Sequence, residues 1–197
     1  MSISIVGPIR ALPPDYCQVH YMQLTERGRL FWLNVLSVVP MIFSVFIVFG
    51  LLLAYHIAGA PLVIHALPDR LPMWLGIALV LLILPLHEWL HGWAIVRVGH
   101  RVRYGFKLVV LFATADGALF RRREFLQVTL APLVIISLVG LVLMLFVPAG
   151  LAQWIAIAVI MNASGAIGDL WMTSVVMRFD SSVLIQDEEN GMRIFAH

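Results

Sequence analysis

Apolar residues dominate four stretches of the chain, roughly residues 30–56, 73–98, 125–147 and 151–177, and the first and third contain no Asp, Glu, Lys or Arg. Each is longer than the roughly 20 residues an α-helix needs to cross a bilayer's hydrocarbon core, so the pattern predicts four transmembrane helices. Pro148-Ala149-Gly150 alone separates the last two, which suits a tight helical hairpin. Between the second and third, "RVRYGFKLVVLFATADG" partly alternates, with Val102, Tyr104, Phe106 and Leu108 on one side and Arg103 and Lys107 on the other. That period predicts an extended segment or hairpin at the membrane face. The tail "SSVLIQDEENGMRIF" has two short apolar runs about Asn190-Gly191, the mark of a small hairpin. The expected fold class is therefore an all-α integral membrane protein with four transmembrane helices. A short β-hairpin or re-entrant segment is expected between helices two and three. The expected organisation is a cytoplasmic leader over 1–29, a transmembrane domain over 30–178 and a cytoplasmic tail over 179–197.

Composition supports a membrane protein over a soluble one: 61% of residues are hydrophobic and 12% charged. The formal charge of +2 hides an uneven distribution. Of the 13 Lys and Arg residues, all but Arg70 flank the apolar runs on one side, which places both termini in the cytoplasm. This is a topology signal and not a nucleic-acid footprint, so no nucleic-acid partner is expected. Cys17 is the single cysteine, which excludes an intrachain disulfide and a cysteine-based zinc site. The first apolar run starts after a proline-containing leader and is long enough to span, so it reads as a retained anchor and not a cleaved signal.

The second stretch carries "PLHEWLHGWAI", and ionisable residues inside a spanning helix usually face the protein interior and mark a site. His87 and His91 are one helical turn apart, so both imidazoles leave one face and can hold one metal ion. Glu88 is turned from that line by about 100°. This H-E-x-x-H spacing lets two histidines bind zinc while the glutamate takes a proton from metal-activated water. A pair of interior histidines bonded to neighbouring helices is the plainer reading of the same residues. The remaining histidines, His20, His56, His65, His100 and His197, have no partner at ligand spacing.

A catalytic zinc needs a third protein ligand. Asp169 is the one acidic residue of the fourth stretch, and "MNASGAIGDLW" sets Asn162, Gly165 and Asp169 on a shared helix face. At 1.5 Å per residue, His87, His91 and Asp169 fall ~16, ~10 and ~14 Å above the cytoplasmic helix ends, a matching depth. Ser164, Gly165 and Gly168 would let that helix approach its neighbour closely. Asp169 is thus expected as the third ligand of one zinc ion, or as a carboxylate supporting a histidine from behind. Asn162 is expected to bond the substrate carbonyl or oxyanion, or to bridge helices.

"HEWLHGWAI", "ADGALFRRREFLQVTLAPL" and "NASGAIGDLW" followed by "VLIQDEENG" resemble a small bacterial and archaeal family of zincin peptidases. That family is in turn similar to intramembrane zinc metalloproteases of the site-2 protease type. The resemblance implies His87, His91 and Asp169 as zinc ligands, Glu88 as catalytic base and a prokaryotic cytoplasmic membrane as the location. Site-2 proteases commonly have an Asp-Gly pair and a proline near the aspartate, whereas Asp169 precedes Leu170 and its stretch lacks proline. The expected activity is hydrolysis of peptide bonds in membrane or membrane-proximal substrates, with the lipid bilayer and a protein or peptide substrate as partners. The alternative is a metal-binding membrane protein that holds clients without cutting them. The alternating segment 101–112 offers an edge for an extended substrate, or a basic surface for anionic lipid heads.

Overall fold

A computed structural model of the chain describes residues 8–9, 11–23, 26–59, 72–107, 110–115, 117–188 and 191–197. Arg10, His65, Arg70, Leu108 and Asn190, which entered the charge, histidine and hairpin readings, lie outside the described residues. The described chain runs β1 (Cys17–Gln23), α1 (Arg27–Leu36), α2 (Val38–Ile57), α3 (Met73–Leu81), α4 (Ile83–Arg97), β2 (Arg103–Lys107), β3 (Val110–Thr114), β4 (Leu119–Arg121), α5 (Arg122–Met144), α6 (Ala149–Gly165), α7 (Ile167–Val176), β5 (Leu184–Glu188) and β6 (Gly191–Ala196).

The expectation of an all-α protein is overturned, because the chain is mixed α and β. Among the described residues six strands form two antiparallel sheets, one ordered β1-β6-β5-β4 and one made of β2 and β3. The larger sheet is assembled from the polar flanks, where runs of three to seven residues are too short to give a clear period by themselves. The alternating segment after the second apolar stretch is the β2–β3 hairpin, with Tyr104 opposite Ala113.

The chain divides into two compact units, one made of 1–30, 88–131 and 169–197, the other of 31–87 and 132–168. The first contains both sheets. Met22, Ile95, Phe120, Phe125, Val176, Ile185, Met192 and Ile194 form its buried core. Cys17 pairs with Ala196 and Leu184 with Phe195, so the leader and the tail lie in one sheet. Gly191 is required there, because a Cβ at that position would lie 1.9 Å from the Met22 carbonyl oxygen. Glu124 fixes the start of α5 by accepting the Arg121 backbone N–H at 2.8 Å, as the acid of a capping box does.

The second unit is helical. Val48, Met144, Ala152 and Val159 form its core. Small residues let its helices approach: a Cβ on Gly76 of α3 would lie 2.0 Å from the Trp154 ring of α6, and one on Gly140 of α5 would lie 2.3 Å from Val159.

Among the described residues three helical stretches, Arg27–Ile57, Met73–Arg97 and Arg122–Met144, are long and apolar enough to cross a membrane. The fourth expected span is a bent pair, Gly150–Gly165 and Ile167–Val176, at 43°. Gly165 and Gly168 bracket that break, and glycine is a poor helix former.

Candidate metal centre

Helix α4 carries His87, Glu88 and His91, and the pitch of this one continuous helix sets the two histidines on a common face. Asp169 lies in the first turn of α7, where helix N-terminal amides favour a carboxylate, and it is buried at 8% exposure. One ligand atom from each of His87, His91 and Asp169 lies within 4.8 Å of the other two. The three residues proposed from spacing and depth are thus brought together. His91 Nε2 is 3.5 Å from Asp169 Oδ1. Two donors on a tetrahedral zinc, each at about 2.1 Å, are separated by about 3.4 Å, so this spacing suits a shared ion.

Both imidazoles are oriented through Nδ1. His91 Nδ1 lies 3.0 Å from the Val128 carbonyl of α5, and since a carbonyl only accepts, Nδ1 carries the proton. Nε2, facing Asp169, is then the nitrogen with a lone pair to donate. Val128 can spare its carbonyl for a local reason. Four residues on is Pro132, which has no backbone N–H to complete the intrahelical bond. The proline therefore presents an acceptor to His91.

His87 Nδ1 lies 2.9 Å from Asn162 Oδ1. Asn162 is 2% exposed, and its Nδ2 donates to the Pro132 carbonyl at 3.5 Å. Asn162 is thus placed behind His87, as a residue that fixes a ligand's tautomer and direction would be. Ligating histidines usually bond through the second nitrogen in this way, so the donor set of two Nδ1-anchored imidazoles and one carboxylate fits zinc.

Glu88, His91 and Asp169 line one cavity of about 170 Å³, whose wall also includes Phe112, Thr114 and Asp187. Glu88 Oε2 accepts the backbone N–H of Ala113 on β3 at 3.0 Å. The Tyr104 side chain of β2 rests against Gly92 of α4, where a Cβ would lie 2.0 Å from its hydroxyl.

Pro132, Ala113 and Asp187 join the site without a role expected from the sequence pattern. Pro132 carried a signal, since a proline inside a helix frees the carbonyl four residues back. Asp187, on β5, accepts the Thr114 hydroxyl on Oδ2 at 3.2 Å. Burial pushes its carboxyl up to about 7, against the lowering influence of Thr114, His91 and the Ala115 amide.

The family model described as "Putative zincin peptidase" matches residues 80–184, which contain the α4 motif, the hairpin, α5 and Asp169. No curated protein and no solved structure matches the chain. Zinc is the metal this description implies, and the clustered donors are of the kinds zinc takes. By its match over more than half its length, the chain belongs to the putative zincin peptidase family.

Proposed function

We propose that the protein is a membrane-embedded zinc metallopeptidase of the site-2 protease kind. It hydrolyses peptide bonds of membrane or membrane-proximal proteins close to the cytoplasmic face. The observation that carries this reading is the meeting of His87, His91 and Asp169 ligand atoms, with Glu88 lining the same cavity as His91 and Asp169. His87, His91 and Asp169 would hold the ion. Zinc, when bound, supplies a Lewis acid that polarises the scissile carbonyl and lowers the pKa of water towards ~7.

The chain's own residues supply the rest. Glu88 takes the proton of the attacking water and returns it to the leaving nitrogen. The Ala113 N–H holds one Glu88 oxygen and so sets the direction of the carboxylate. A helical substrate cannot be cut, because its backbone groups are bonded to one another, so the substrate must be extended. The edge of β3 that meets Glu88 suits an added strand, with Phe112 and Phe120 supplying apolar cavity wall.

Membrane embedding is supported by the three long apolar helices and by large aromatics facing outward on α2. Phe43, Phe46 and Phe49 are 67%, 70% and 64% exposed, an apolar surface that lipid would cover at no cost. The distribution of Arg and Lys supports cytoplasmic termini, and the family resemblance implies a prokaryotic cytoplasmic membrane.

The test is cleavage of quenched fluorescent casein by zinc-loaded protein in detergent. Wild type should cleave it, a chelator should stop it, and Glu88→Gln should lose at least about 100-fold while keeping its zinc. Cleavage that survives Glu88→Gln would overturn the assigned chemistry. Stoichiometric zinc with no cleavage would indicate a metal-binding protein without catalysis.

A further inference from the structure

Asp187 is a cavity-lining carboxyl that the chemistry above leaves unused. It sits on β5, in the four-stranded sheet, while the strand that bonds Glu88 belongs to the separate two-stranded sheet. Asp187 bridges them: its Oδ2 accepts the Thr114 hydroxyl at 3.2 Å. Thr114 is buried at 3% exposure, so water does not compete for this bond. Thr114 ends β3 and immediately follows Ala113, whose N–H holds Glu88 Oε2. Two carboxylates thus grip consecutive residues of one strand, Glu88 from α4 and Asp187 from β5.

We propose that Asp187 is a positioning residue for Glu88, anchoring β3 through Thr114 so that the Ala113 amide holds the Glu88 carboxylate in a fixed direction. The catalytic consequence rests on the peptidase reading, whereas the anchoring does not. The bare structural role would be to finish the turn that leads into β4, where the Ala118 N–H bonds the Ala115 carbonyl. That role gives Asp187 no influence on Ala113.

The test compares wild type with Asp187→Ala and Asp187→Asn, in the zinc-loaded full chain in detergent, by amide hydrogen exchange and by casein cleavage. Exchange over residues 110–115 should rise about tenfold or more in the alanine variant and less in the asparagine variant, which keeps one acceptor oxygen. Exchange over 191–196 and zinc content should stay unchanged. The kcat should fall roughly 10–100-fold for alanine and partly recover for asparagine, with KM changing less. Should Asp187→Ala not fold, Thr114→Val removes the hydroxyl donor at similar volume and should raise exchange over the same residues.

Unchanged exchange at Ala113 in these variants overturns the anchoring, whether or not the wild type cleaves casein. Raised exchange with unchanged kcat overturns its link to Glu88. If wild type itself does not cleave, the peptidase reading fails while the exchange pattern still decides the anchoring.

Discussion

Pro132→Ala separates the stability of α5 from the quality of the metal site. Proline in a helix interior costs about 3 kcal/mol relative to alanine. Removing two methylenes from this fully buried side chain costs about 1.6 kcal/mol in lost packing. The metal-free variant should therefore be as stable as wild type or up to ~1.4 kcal/mol more stable. Zinc binding should move the other way. The new N–H at position 132 bonds the Val128 carbonyl, which His91 Nδ1 now meets at 3.0 Å. Losing such a partner behind a ligating histidine typically weakens metal affinity by roughly 10–100-fold, or about 1.4–2.8 kcal/mol. Competition with a chromophoric chelator measures the affinity, and thermal unfolding of the metal-free protein measures the stability. Unchanged zinc affinity alongside equal or higher stability would refute the claim that the freed carbonyl orients His91.

Asn162→Ala should weaken zinc binding by roughly 10-fold or more through loss of the His87 Nδ1 partner, and Asn162→Asp, which keeps an acceptor, should restore most of it; chelator competition reads both. Gly191→Ala would force a Cβ to 1.9 Å from the Met22 carbonyl, so the β1–β6 pairing should loosen by about 1–3 kcal/mol, seen as a lower unfolding temperature and faster exchange in both strands. In the metal-free protein Asp187 is pushed from 3.8 up to about 7, so the folded state holds this proton more tightly than the unfolded chain. Its contribution to stability is complete below pH 3.8 and lost as pH rises through about 7; Asp187→Asn should flatten that part of the stability profile measured by chemical unfolding.

The parts of the site that were legible in the sequence are those set by local geometry. The i, i+4 spacing of His87 and His91 fixes a shared face wherever the helix sits. Asp169 could be matched to them because rise per residue converts chain position into height along a helix. The sheets were not legible in the same way. β1 pairs with β6 across almost the whole chain, Cys17 with Ala196, and β4 is three residues long, so neither carries a strong pattern before it meets its partner. The hairpin of β2 and β3 is sequence-local, and its alternation could be read. Asn162 and Asp187 show the remaining limit. Their residue types fit many roles, and only the neighbour each meets, His87 Nδ1 or the Thr114 hydroxyl, narrows them to one.

The most direct test of the metallopeptidase account is elemental analysis of zinc in protein purified in mild detergent, for wild type, His87→Ala, Asp169→Ala and Glu88→Gln. About one zinc is expected per wild-type chain, lost in the histidine and aspartate variants and kept in the glutamate variant, since each removed ligand belongs to a cluster of three. A folded wild type that takes up no zinc when supplied with it would contradict this reading and leave the half-buried histidines as hydrogen-bonding partners of Val128 and Asn162.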